Sequence, residues 1–202
     1  RVADASVNDC NSLIAGTPWW QPSGGRMGGA IQLQNACVRI APKAPFDITD
    51  AITLSVWTRV DRLDRWWQAL VTKGDDSWRL HRFGDRDTLE FACSGLHSPH
   101  GTSVSVEANR VINDGRWHHI AATYDGRRIS LYMDGRLENS RPAWGQIATN
   151  DSPVLIGDNA QQSGRCWNGW IDEVRIYSYA LSADEVVELH AAGEQPVMAS
   201  YR

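Results

Sequence analysis

The chain has 202 residues, 42% of them hydrophobic and 22% charged, which is ordinary globular usage and enough length for a sizeable core. Lys and Arg number 20 against 24 Asp and Glu, a net charge of −4, so the basic field that grips a phosphate backbone is missing and nucleic acid is set aside as a partner. No apolar run approaches the roughly 18 residues that a membrane span needs. In chain order, Ala30–Leu33, Val38–Ile40, Ala51–Trp57, Trp66–Lys73, Trp78–Phe83, Thr88–Cys93, Val104–Val106, His119–Tyr124, Arg128–Met133, Val154–Ile156 and Gly169–Tyr177 read as short strands. Several alternate apolar and polar residues, the mark of a half-buried strand. Asp125-Gly126 and Asp134-Gly135 tolerate the positive φ of tight hairpins, so the segment from 117 to 137 reads as consecutive antiparallel strands. Ser182 followed by Glu185 is a capping box, and Val186, Val187, Leu189 and His190 continue at helical spacing until Gly193 ends the run. The pattern predicts an all-β, antiparallel two-sheet sandwich with one short C-terminal helix, formed as a single domain over 1–202, because no linker or repeat divides it.

The numbering opens at Arg1 without methionine or an apolar leader, so a secretion signal is expected to have been removed or to lie outside this stretch. Cys10, Cys37, Cys93 and Cys166 are far apart, with no C-x-x-C pair, which argues against zinc and a thioredoxin-like redox site. Two disulfides, Cys10 with Cys37 and Cys93 with Cys166, are the expected arrangement; four buried thiols are the alternative.

Longer strings are more specific. Asn113-Asp-Gly-Arg-Trp-His-His-Ile-Ala-Ala-Thr-Tyr-Asp-Gly126, Ile129-Ser-Leu-Tyr-Met-Asp-Gly-Arg136, Val154-Leu-Ile-Gly-Asp-Asn159 and Trp167-Asn-Gly-Trp-Ile-Asp-Glu-Val-Arg-Ile-Tyr-Ser-Tyr-Ala-Leu-Ser182 closely resemble the laminin-G-like domains of bacterial secreted proteins. Gly24–Leu33 and Ile48–Trp57 extend the likeness over most of the chain. The resemblance implies the concanavalin A-like lectin/glucanase jelly roll and a secreted, extracellular or cell-surface location. It also implies a structural calcium, held by Asp172 with the carbonyl of Gly28 and Asp4, since calcium takes several hard oxygen ligands; a turn-capping role for Asp172 is the competing reading. Members of the family usually open with a strand that is missing ahead of Arg1, while Pro196–Arg202 resembles that strand at the other end. The tail is expected to fill the vacant edge beside Val174–Tyr177, within the chain or by self-association.

Ten tryptophans serve either a thick core or an exposed stacking surface, and the count alone does not separate the two. Trp57 and Trp117 are assigned inward. Trp66, Trp67, Trp78, Trp144, Trp167 and Trp170 are harder to bury together, because consecutive strand residues face opposite ways. Indoles stack on pyranose rings while Arg and Asn bond hydroxyls, so a carbohydrate site on the concave sheet and its loops is expected from Trp66, Trp67, Trp78, His81, Arg82, Trp144, Asn159, Arg165 and Trp167. An extracellular protein partner, with the chain as a structural or adhesion subunit, is the alternative. His118 and His119 alternate in direction and read as core and surface rather than as a metal pair. Lichenase-type enzymes of this fold resemble a Glu-x-Asp-x-x-Glu strand carrying two carboxylates on one face; that string is absent, as are other catalytic signatures, so the chain is read as non-catalytic.

Overall fold

The computed structural model describes Ala5, Cys10 and residues 12–194. Among them run β1 (Ser12–Ala15), β2 (Trp19–Gln21), β3 (Ala30–Leu33), β4 (Cys37–Ile40), β5 (Ile52–Val60), β6 (Ala69–Thr72) and β7 (Trp78–Arg82). They are followed by β8 (Leu89–Cys93), β9 (Val104–Glu107), β10 (Trp117–Tyr124), β11 (Arg128–Met133), β12 (Arg136–Pro142), β13 (Val154–Ile156), β14 (Gly169–Tyr177) and a helix, α1 (Ala183–Glu194). The strands form two seven-stranded antiparallel sheets, β1-β4-β13-β6-β7-β8-β9 and β12-β11-β10-β5-β14-β3-β2. This is a jelly-roll sandwich, the architecture that the alternation predicts.

The interior is built from every second residue. Ile52, Leu54, Val56 and Val60 of β5 meet Leu80, Phe91 and Val106 of the opposite sheet in one continuous core, each full burial worth about 1.5–3 kcal/mol. Both Asp-Gly dipeptides turn hairpins: Asp134 and Gly135 have φ of 54° and 71°, and Asp125 Oδ1 accepts from the N–H groups of Arg127 and Arg128 at 2.8 and 2.7 Å. Strands β1, β2 and β12, at or near sheet edges and mostly exposed, escape sequence reading because they bury too little for alternation to show. The strand expected from Trp66 begins only at Ala69, and Trp67 has a left-handed backbone, φ 58°.

The assignment of Trp57 and Trp117 to the interior is corrected. Trp57 lies on the face of β5 opposite Val56 and is buried by α1: His190 stacks on it at 5.4 Å and Arg26 sits 4.7 Å from the ring. Half-buried Trp117 also faces outward, beneath Arg59 at 5.7 Å. The capping box forms as predicted, with Ser182 N–H donating to Glu185 at 2.7 Å and Glu185 N–H to Ser182 Oγ at 3.3 Å. Gly193 does not stop the helix, which continues to Glu194. It permits close approach, since a Cβ there would stand 2.3 Å from Trp57 Nε1.

Two histidines bind this layer to pH with opposite sign. His119, bonded to Ser55 Oγ at 2.9 Å beneath α1, is pushed down to about 4 by burial and by the charge of His190. His118 lies between Asp134 and Asp114, 2.9 Å from each; the Asp134 bond leads in raising its pKa. The stability held by neutral His119 is complete above its unfolded pKa near 6.5 and is lost as pH falls toward 4, a loss on the order of 3 kcal/mol. The stability held by protonated His118 is complete below about 6.5 and is lost as pH rises through its raised folded value. Denaturant unfolding from pH 4 to 9 is therefore expected to show greatest stability near neutrality, with the acid limb flattened by His119→Gln; an acid limb unchanged by that substitution would contradict the assignment.

Candidate functional site

Trp67 is placed by its backbone. Its N–H donates to Gly84 O at 2.9 Å, and a left-handed φ is rare for a bulky residue, the kind of strain that persists where surrounding structure imposes it. Gln68, fully buried, supplies that structure by accepting from Arg65 N–H at 3.1 Å and donating to the carbonyls of Arg62 and Cys166 at 3.2 Å. Buried Arg82 donates to the carbonyls of Arg65 and Arg86 at 2.7 Å and to that of Asp85. Arg82 is thus committed to clamping this turn rather than facing a ligand.

The half-buried Trp67 indole stacks on His81 at 5.2 Å with 27° between planes and meets the edge of Phe83 at 5.5 Å. Beneath it, on adjacent strands in direct register, His81 Nε2 lies 3.1 Å from Glu90 Oε2, with both side chains buried. Burial lowers the His81 pKa; Glu90 is lowered despite burial because His81 and Ser105 hydrogen-bond its carboxylate. The pair is therefore a neutral imidazole beside a carboxylate. His81 Nδ1 has no partner among the described residues. Trp66, next to Trp67 in the chain, is 65% exposed.

A second polar cluster forms at Asp75, in the turn before β7. Arg165 Nη1 donates to both its carboxylate oxygens at 2.9 and 3.1 Å, and Asn159 Nδ2 donates to Oδ1 at 2.8 Å. Arg79, two residues before His81 on the same face of β7, donates to the Asp75 carbonyl at 2.6 Å. The charges of Arg79 and Arg165 both act on His81, which links the two clusters.

Of the residues expected in the site, Trp67 and His81 are in contact, and Asn159 and Arg165 meet at Asp75. Trp78 and Trp167 join neither pair: both are 0% exposed within the core, because their neighbours in β7 alternate correctly for burial and the loop before β14 turns inward. Trp144 is 48% exposed but paired with the His97 backbone at another site. Sequence reasoning missed Arg79, Asp75 and Gln68. Register gives a retrievable signal for the pairing of His81 with Glu90, since the turn between β7 and β8 sets them opposite one another.

Asp172 behaves as a turn clamp. Its Oδ2 accepts from the N–H groups of Arg26 and Met27 at 2.7 and 3.0 Å, and its Oδ1 from Glu173 at 2.8 Å. The Gly28 carbonyl accepts from Gly25 N–H at 3.0 Å, and Asp4 lies outside the described residues. One carboxylate ringed by N–H donors is a poor match to calcium, which needs converging oxygens, so the described residues do not fit the expected ion.

The cysteines correct the disulfide expectation: all four are thiols. Cys10 and Cys93 belong to the interior cluster, whereas half-buried Cys37 and Cys166 both lie near Asp158, with Cys166 Sγ 3.6 Å from its carboxylate. Each expected bridge would join an interior cysteine to one outside that cluster. Burial raises the pKa of Cys93, and burial with the Asp158 charge raises those of Cys37 and Cys166.

Residues 33–187 match the family described as the concanavalin A-like lectin/glucanases superfamily. The chain belongs to that superfamily. Mouse pappalysin-1 is 33% identical over 157 residues, which are 68% of this chain and 9% of the relative. The chain therefore spans a small part of that protein, and likewise 2% of the rat sushi, von Willebrand factor type A, EGF and pentraxin domain-containing protein 1, to which it is 30% identical over 39% of its own length. Among solved structures, the binding domain of Paraclostridial mosquitocidal protein 1 superposes with a TM-score of 0.74 at 19% identity, covering 95% of this chain and 49% of that one. Domain 4 of the Geobacillus stearothermophilus GH43 arabinanase AbnA, solved with arabinotriose, gives 0.69 at 20% identity over 89% and 87%. These likenesses establish the shared fold.

Protein prepared without reductant and then unfolded is expected to take up four alkylating groups, one per cysteine, while native Cys93 stays unlabelled; fewer than four would reinstate a bridge. Asp172→Ala strands three N–H groups and is expected to destabilise by about 2–4 kcal/mol, whereas EDTA should leave the wild-type melting temperature unchanged. A fall with EDTA would show a metal that these ligands do not account for.

Proposed function

We propose that this chain is a non-catalytic, extracellular binding module that holds a neutral glycan on the outer face of the first sheet, around Trp66 and Trp67. The observation that carries the reading is the left-handed Trp67, fixed over a buried His81–Glu90 pair with exposed Trp66 beside it. Indoles oriented in advance stack on the apolar faces of sugar rings. The buried His81–Glu90 pair serves as the floor on which the Trp67 indole is stacked. Arg79 and Arg165 are already engaged with Asp75, which favours uncharged sugars over uronates. The non-catalytic reading is supported by the partner of Glu90, an imidazole rather than the second carboxylate that retaining glycoside hydrolysis uses.

The arabinotriose bound to the AbnA domain makes arabino-oligosaccharides the first probes, followed by a neutral glycan array. Binding is expected to change tryptophan fluorescence and to weaken by about tenfold or more in Trp67→Ala, since a stacked ring contributes roughly 1–2 kcal/mol. Trp144→Ala should bind as the wild type does. Equal affinities of Trp67→Ala and wild type would overturn the location, and failure of every neutral glycan would overturn the ligand class. A structural or adhesion role is the second reading, favoured by an apolar cleft beside β14.

A further inference from the structure

Register sets five side chains in one row across the outer face of the second sheet. Trp19 of β2 lies opposite Gln32 of β3, Gln32 opposite Trp170 of β14, Trp170 opposite Arg59 of β5, and Arg59 opposite Trp117 of β10. Their chain neighbours Ile31, Leu33, Val60 and Ile171 belong to the interior, so alternation turns the row outward. It crosses four strand intervals, about 19 Å. Helix α1 covers the next pleat, where His190 lies against Trp57 and His119. Trp19 is 64% exposed, while Gln32, Arg59 and Trp117 are half-buried. Residues 196–202, expected to add a strand beside Val174–Tyr177, lie outside the described residues.

Arg59 is the cation of this row. Its guanidinium stands between two indoles, 5.3 Å from the Trp170 ring and 5.7 Å from the Trp117 ring, and Trp170 in turn meets Trp19 at 5.7 Å. Cation–π contacts hold the group in place without using its N–H donors, and among the described residues no carboxylate or carbonyl accepts from them. At Gln32 the row adjoins a cleft of about 310 Å³ whose lining includes Gln34, Asp61, Arg62 and Asn168. Gln32 Nε2 donates to Asp61 at 2.5 Å, and Arg62 is neutralised by Asp64 at 2.8 Å.

We propose that this row is a second saccharide site, separate from Trp66 and Trp67, for an oligosaccharide that carries a carboxylate, a hexuronate or a sialic acid. The carboxylate bonds Arg59, a further ring packs on Trp19, and hydroxyls reach Gln32 and Asp61. A planar guanidinium with free donors receives a carboxylate through two parallel hydrogen bonds, and indoles receive the apolar face of a ring. An acidic peptide would also satisfy Arg59. The row favours a sugar because its indoles alternate with Gln32 and Arg59 instead of merging into one apolar patch, and because amide and carboxylate groups line the cleft beside it.

The test titrates the full chain with tetragalacturonate and with sialyllactose, each beside its carboxyl methyl ester, and reads tryptophan fluorescence and calorimetry. At least one acid is expected to bind, with its ester weaker by about tenfold or more. Arg59→Gln should weaken the acid by a similar factor while leaving the ester unchanged. Trp19→Ala, on an exposed edge strand, should weaken acid and ester alike by about fivefold at an unaltered melting temperature. Trp67→Ala should bind the acid as the wild type does, which separates this site from the neutral-glycan reading. Failure of both acids, equal affinity for acid and ester, or acid binding indifferent to Arg59→Gln or to Trp19→Ala would overturn the proposal. Loss of acid binding in Trp67→Ala would move the acid to the first sheet and also overturn it. Tetraglutamate that binds as tightly as the sugar, with the same dependence on Arg59, would replace the saccharide by an acidic peptide.

Discussion

The pairing of β5 with β14, nine-residue strands at the centre of one sheet, is the contact on which the rest depends. Each turns one face into the sandwich, where Val56 and Ile171 meet the opposing sheet. Their other faces need separate cover: α1 supplies it at Trp57, and the Trp170 ring lies near Arg59 and Trp19, at 5.3 and 5.7 Å. Helix, aromatic layer and Asp172 clamp are all consequences of having central strands with two sides to hide. The bulge between Asp172 and Arg175, where Glu173 takes a φ of 51°, lies just past the stretch of β14 that pairs with β3.

The two outer faces serve different ends. That of the second sheet is closed in part by α1, with Val186 packed on Ala121 and Tyr132. That of the first carries polar residues in register, His81 opposite Glu90 and Glu90 opposite Glu107, beneath one tightly tied turn. Gln68 and Arg82 spend their hydrogen-bonding capacity on backbone carbonyls of that turn, so side chains from the interior layer determine the posture of a surface residue.

Much of the sandwich was legible because strands buried on one face write a period of two into the chain, and the two Asp-Gly hairpins announce their own turns. The same rule misled at Trp57, where alternation gives two faces but not which is the interior; only the position of α1 settles that. It misled again at Trp66 and Trp67, treated as strand residues although the chain turns there. The site was half legible: residue chemistry picked out His81, Asn159 and Arg165, but Asp75 gains its role from a loop some 90 residues away, at Arg165. The cysteine pairing failed because spacing says nothing of the side of a sheet on which a thiol lies.

The left-handed turn at Trp67 has a kinetic corollary. Its Cα–Cβ direction is imposed by the main chain and its ring is packed against His81 and Phe83, so the shape of this surface is set in the free molecule. Association with a ligand at this face would then need no loop rearrangement and would proceed as fast as diffusion and orientation allow, leaving differences among ligands to appear in how long each one stays.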